Sequence, residues 1–300
     1  MNRVWLDVSN RIDPLLAEAL GEINRLAADL GIPFVVVGAT ARDMVLHHGF
    51  SLEVRRATRD IDLALEIAHW GTFQDFENGL LATGRFRSDR AAAQRLLYTV
   101  AQRPLPVDLI PFGRIESAGH AITWPPEHVV QLNVQGFADA SRAARPVRVK
   151  ADPPTDVQCI SPSGLALLKL IAWDDARQDG RRRRDAEDLR YLVETYLDAG
   201  NRDRLFEEHA SLLDREDFDY VEAGVHILGS DLTALMAPAT RTSVIEILAR
   251  ESAPDGPLQL VGDMLTTAPH HPAEPASIRR LLEVMLDGIR ASSTGQPRSE

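Results

Sequence analysis

Hydrophobic positions along the chain follow two regimes: alternating or continuous short runs mixed with helical spacing up to about residue 160, and almost purely helical spacing afterwards. In the first regime Leu15, Leu16, Leu20, Ile23, Leu26, Ala27 and Leu30 recur three and four apart, as one face of a helix requires. Asp13 supplies an N-cap, Pro14 suits the first helical turn, and Gly31 ends the run. The apolar run at 33–37 predicts a buried strand, broken by Gly38, and Met44, Val45 and Leu46 then predict a short helix. Residues 59–65 alternate, so a strand there places Asp60 and Asp62 on one face and Ile61, Leu63 and Leu65 on the other. Trp70–Ala82 is amphipathic through Phe73, Phe76, Leu80 and Leu81, and 95–101 with 105–111 predict a hairpin around Gln102, Arg103 and Pro104. From 115 to 154 the pattern weakens to strand-like pieces at 129–134 and 147–149, with Trp124, Pro125 and Pro126 as a rigid turn.

Ser161 and Pro162 cap the first helix of the second regime. Helices are expected at 162–177, 184–197, 202–213, 220–236, 240–249 and 278–291. This divides the chain into a domain at 1–160, a helical domain at 161–291, and a polar tail at 292–300 expected to be disordered.

Composition sharpens the picture in three ways. The single cysteine, Cys159, excludes an internal disulfide framework and fits a reducing cytoplasm. No stretch is apolar enough for a signal peptide or a bilayer span, so a cytoplasmic location without membrane contact is expected. A net charge of −11 argues against a general nucleic-acid coating protein, while leaving room for a local basic patch. Nearly every cation is arginine; Lys150 and Lys169 are the only lysines.

The chemistry gathers around Gly38 and the aspartates that follow it. Paired carboxylates on one strand face resist joint ionisation. A divalent cation relieves that cost, and cations so held are a common device for in-line phosphoryl or nucleotidyl transfer. Asp108 interrupts the apolar run Val107, Leu109, Ile110. Its bland reading is a surface carboxylate on an edge strand; its functional reading is a third metal ligand, or the base for an attacking hydroxyl. The turn Gly38-Ala39-Thr40 offers backbone N–H groups at a helix start, suited to nucleotide phosphates, with the Thr40 hydroxyl beside them. Arg42 either reaches a phosphate or pairs with Asp43 or Asp60. Lys169, inside an apolar helix, is read as a cation for the triphosphate, against the alternative of a snorkelling flank lysine. Asp185 and Asp188 stand three apart on one helix face, placed to hold Lys169 or an arginine. Arg181 to Arg184 form either a solvated loop or a backbone clamp for RNA, and Arg85, Arg87, Arg90 and Arg95 form a second weak basic patch. The histidine pairs His47/His48 and His270/His271 lack metal-ligand spacing and are read as surface residues.

The segments GATARDMVL, RRATRDIDLAL, LPVDLIPFG, SGLALLKLIAW and RRRRDAEDL together resemble the AbiEii/AbiGii-type nucleotidyltransferase toxins, within the DNA polymerase beta-like nucleotidyltransferase superfamily. GATARD is also similar to the head motif of CCA-adding enzymes and poly(A) polymerases. The resemblance runs from about Phe34 to Leu197, with His226 to Asp231 similar to a later helical segment. It implies an α+β fold, a mixed-sheet nucleotidyltransferase domain followed by a helical one. It also implies an NTP substrate, Mg²⁺ (or Mn²⁺) on Asp60 and Asp62, and Lys169 with Asp185 or Asp188 as further active-site members. An RNA acceptor such as a tRNA 3′ end and a cognate antitoxin protein are the implied partners. The family commonly has Gly or Ser where Ala39 stands, so a serine contact to phosphate is missing here. The alternatives are transfer to a small molecule or protein, and a catalytically silent nucleotide-binding module.

Overall fold

Helix α1 (Pro14–Leu30) starts where the Asp13 carboxylate accepts the Leu15 amide at 2.8 Å, and it buries Leu20, Ile23 and Ala27 of the apolar face read from the sequence, while Leu30 at its end is exposed. The computed structural model describes residues 4–53, 60–100, 103–125, 131–176, 181–266 and 274–294. The chain divides into two units, Met1–Ser161 and Pro162–Glu300.

The first unit is built on an eight-stranded mixed sheet. Strand β1 (Leu6–Asp7) precedes α1; then come β2 (Phe34–Val37), a five-residue helix α2 (Gly38–Arg42), a π-helical segment Asp43–Gly49, and β3 (Ile61–Ile67). Helix α3 (Trp70–Ala82) follows, then β4 (Phe86–Ser88), β5 (Arg95–Val100) and β6 (Arg103–Gly113). A separate small ribbon of β7 (Ala121–Thr123) and β8 (Gln131–Asn133), helix α4 (Phe137–Arg142), and the pair β9 (Arg145–Lys150) and β10 (Thr155–Cys159) complete it. The strand order is β1-β9-β10-β2-β3-β6-β5-β4. Val36, Ile61, Leu63, Leu65, Val107 and Leu109 are all but inaccessible, which places the core under the central strands.

Registers across this centre fix what lies beside what. Val37 pairs with Asp62 between antiparallel β2 and β3, Asp62 with Asp108 between parallel β3 and β6, and Asp108 with Arg95 between antiparallel β6 and β5. In-register neighbours share a sheet face. Asp62, Asp108 and Arg95 therefore stand in one row across three strands.

The prolines of β6 obey the same geometry. Leu109 donates its amide toward β5, to the Gln94 carbonyl, so even-numbered residues turn their nitrogens toward β3. Pro104 and Pro106 lie where β6 pairs with β5 alone, because β3 pairs only from Val107 onward. Each missing donor falls on a flank without a strand partner among the described residues.

The second unit is helical: α5 (Pro162–Asp175), α6 (Arg181–Glu194), α7 (Arg202–Glu207), α8 (Tyr220–Leu235), α9 (Pro238–Ser252), α10 (Gln259–Thr266) and α11 (Pro275–Thr294). Helices α8 and α11 approach through glycines: a Cβ on Gly229 would stand 2.4 Å from the Met285 carbonyl oxygen, and one on Gly288 2.3 Å from that of His226. Among the described residues no helix is long and apolar enough to cross a membrane.

Several expectations shift. The helix expected at 202–213 ends at Glu207, where the amides of Glu208 and His209 both turn to the Arg204 carbonyl, and a 3₁₀ turn Ala210–Leu212 follows. Residues 292–294, expected to belong to a disordered tail, are helical instead: α11 runs to Thr294 and the Ser292 hydroxyl bonds that of Ser230 at 2.9 Å. Residues 295–300 lie outside the described residues, as do Arg59, Gln102, Pro126, Val129 and the pair His270/His271. Strands β1, β4, β7 and β10 and helices α4 and α10 carried no expectation; most are too short for a period to register.

Candidate active site

The row on β3 and β6 gathers three carboxylates. One oxygen each of Asp60, Asp62 and Asp108 lies within 4.8 Å of the other two. Asp60 sits just ahead of β3, two residues before Asp62 and on the same face. Asp108 is 9 % exposed and lies on a strand flanked on both sides, so the edge-strand reading of this residue does not hold.

Gly38 makes room for the cluster. It has a positive φ of 66°, and a Cβ built there would meet Asp62 Oδ2 at 1.9 Å. Only glycine lets α2 begin this close to the carboxylate. Its neighbour Thr40 is buried and donates its hydroxyl proton to the backbone carbonyl of Asp60, so it fixes the residue that leads into β3. Arg42, also buried, spends its Nε and Nη2 on Asp43 Oδ1 at 2.9 and 2.8 Å. Of the partners weighed for Arg42, Asp43 is the one this geometry displays. Ala39 follows Gly38 in the first turn of α2.

Arg95 was legible in the sequence only as a member of a weak basic patch. In the fold its guanidinium forks onto Asp108, with Nε to Oδ1 and Nη2 to Oδ2 both at 2.7 Å. The hydrogen bonds to Asp108 raise the Arg95 pKa further above its ordinary value, and the charges of Asp108, Asp60 and Asp89 add to the effect. The signal that would have found this contact is register, which needs the strand pairing rather than the sequence.

In the helical unit, Lys169 on α5 lies between two carboxylates of α6, with Nζ 2.8 Å from Asp185 and 2.7 Å from Asp188. Burial opposes its charge, yet the attraction of Asp188 and Asp185 outweighs burial and raises its pKa. The expectation that the two aspartates hold this lysine describes the geometry. The arginine run next to them is less available than its sequence implies. Arg182 donates to Asp263 at 2.6 Å and stacks 4.7 Å from the Trp173 ring centroid, while Arg183 and Arg184 are exposed. Arg85 is likewise paired, with Glu22. Arg87 and Arg90 are exposed. His47 is half-buried, not a surface residue, and its Nδ1 donates to the Leu52 carbonyl at 2.8 Å. The Cys159 thiol is fully buried and burial pushes its pKa up to about 12, which makes it a poor nucleophile.

Against known proteins, the family model of the nucleotidyl transferase AbiEii toxin of type IV toxin–antitoxin systems matches residues 23–283. Among functionally curated proteins none matches. Of solved structures, an antigenic nucleotidyltransferase-like protein from Paracoccidioides brasiliensis is 12% identical over 66% of this chain and 90% of its own, with a TM-score of 0.40. JHP933 from Helicobacter pylori is 12% identical over 93% of each chain, also with a TM-score of 0.40. The Thermotoga maritima CCA-adding enzyme, solved with tRNA, is 12% identical over 96% of this chain and 83% of its own, with a TM-score of 0.27.

Proposed function

This chain belongs to the AbiEii nucleotidyltransferase toxin family, and from that premise we propose that it transfers a nucleoside monophosphate from an NTP to a hydroxyl of an RNA acceptor, with the tRNA 3′ end as the first candidate. The observation that carries the reading is the row of Asp60, Asp62 and Asp108 above the Gly38 gap. Three carboxylates are an all-oxygen donor set, which suits Mg²⁺ or Mn²⁺ rather than softer metals. Bound there, such an ion would neutralise charge on the transferring phosphoryl group and favour ionisation of the attacking hydroxyl.

The remaining roles belong to side chains and backbone. Asp60 and Asp62 are the primary donors, with Asp60 held from behind by Thr40. Asp108 adds a third donor or accepts the proton of the acceptor hydroxyl, its carboxylate plane set by Arg95. The first turn of α2, from Gly38 through Ala39, provides amides for the triphosphate. Lys169, with Asp185 and Asp188, is carried as an active-site member by the family resemblance. Its paired ammonium also ties α5 to α6, so an incoming phosphate would compete with two carboxylates for it. A cognate antitoxin and a cytoplasmic location complete the proposal.

The test is incubation of the purified chain with Mg²⁺, each labelled NTP in turn and total cellular tRNA. The Asp60→Ala/Asp62→Ala variant is the control. Label on RNA that depends on both aspartates is the expected result; activity surviving in the double variant would remove the metal assignment. A small-molecule acceptor is the second reading, favoured by the pairing of Arg85, Arg95 and Arg182 with carboxylates, which leaves fewer cations for a nucleic-acid backbone.

A further inference from the structure

We propose that Arg95 is a built-in counter-cation of the carboxylate cluster, a positioning residue that fixes Asp108 and sets how strongly the site attracts a divalent ion before nucleotide arrives. The inference rests on the metal-site reading above and goes one step beyond it.

Arg95 and Asp108 are cross-strand partners on β5 and β6, and Asp108 is in turn the partner of Asp62 on β3. The guanidinium is thus held at the end of the row by backbone register, not by a flexible loop. Its fork takes one lone pair from each Asp108 oxygen, at 2.7 Å on both sides. Such a bidentate pair fixes the carboxylate plane in a way a lysine ammonium cannot. Each oxygen keeps a second lone pair for a metal ion or a proton.

Charge counting gives the consequence. Arg95 sets one positive charge in direct contact with the carboxylate cluster. Without Arg95 the same donors would present a more negative site, and a divalent ion would be held more tightly whether or not a nucleotide is present. The Arg95 side chain is partly exposed and that of Asp108 largely buried, so the interaction is only partly screened by water.

The experiment is calorimetric titration of the full chain with Mn²⁺ alone, at low ionic strength and without nucleotide. Wild type is compared with Arg95→Gln, Arg95→Lys and the Asp60→Ala/Asp62→Ala control. The expected result is that Arg95→Gln binds Mn²⁺ roughly tenfold more tightly or better, given the strength of a unit charge at this range. Arg95→Lys keeps the charge but loses the fork, so it shows no such gain in affinity. A purely structural arginine would give the opposite, with both substitutions weakening uptake as Asp108 loosens. Should Arg95→Gln fail to fold, Asp108→Asn is compared with Asp108→Asn/Arg95→Gln, in which no buried charge is left alone; the double variant should bind Mn²⁺ more tightly than the single one. Equal or weaker binding on loss of the Arg95 charge overturns the inference alone. Absence of Mn²⁺ uptake by wild type and variants alike overturns the metal site together with it.

Discussion

Alanine at position 38 would force a side chain into a φ of 66° and set a Cβ 1.9 Å from Asp62 Oδ2. The carboxylate is the softer of the two objects, so it would swing away. The expected outcome for Gly38→Ala is a stability loss of about 1–2 kcal/mol from the left-handed backbone. Nucleotidyl transfer would fall by roughly a hundredfold, because the donor is displaced by more than an ångström. A thermal melt and a rate assay read the two effects separately. This glycine shows how far single residues were legible in advance. Its place in a turn was plain from the sequence, but its reason was read as amide exposure. The steric reason depends on the Val37–Asp62 register, which no local pattern encodes. The same holds for Arg95, whose partner lies 13 positions away on the next strand. Asp60 and Asp62, by contrast, were visible because two-residue alternation is a local property.

Among elements, the long ones were the legible ones. Trp70–Ala82 starts and stops where its apolar spacing does, and in the second unit α5, α6, α8, α9 and α11 were found with end shifts of a few residues, whereas α10 was missed and α7 is shorter than expected. Strands of two or three residues had no period to show. The α5–α6 pair carries a testable charge arrangement beyond Lys169. Tyr196, just past α6, donates its hydroxyl to Asp231 on α8, and Arg204 forks onto the same carboxylate at 2.7 and 2.8 Å. Burial, with the Asp231 charge beside it, lifts the Tyr196 pKa well above the usual tyrosine value. Lys169 is lifted as well. For both groups the folded pKa exceeds the unfolded one. Their contribution is therefore complete below the unfolded values of 10.0 and 10.5 and is lost as pH rises beyond them. Melting midpoints should drop above about pH 10. The drop should be shallower in Tyr196→Phe, where one of the two titrations is gone and Arg204 still satisfies Asp231.

For the whole molecule the governing fact is an acidic surface on a protein proposed to meet RNA, with a net charge of −11. Binding must then depend on a few unpaired cations, and Arg183 and Arg184 are exposed beside the paired Arg182. The Arg183→Ala/Arg184→Ala variant should bind tRNA more weakly. Its logarithmic salt dependence should also be shallower, by about 1–2 units for two lost phosphate contacts. An unchanged slope would place the acceptor elsewhere or favour the small-molecule reading. The prolines of β6 have a different consequence at this scale. A strand segment flanked on one side only is where a sheet ordinarily recruits a foreign strand. Pro104 and Pro106 remove the amide donors from the flank that lacks a strand partner among the described residues, so a copy of this chain that docks there finds acceptors but no donors at these positions. Among the described residues, this amide-poor flank of β6 is a weak template for a foreign strand.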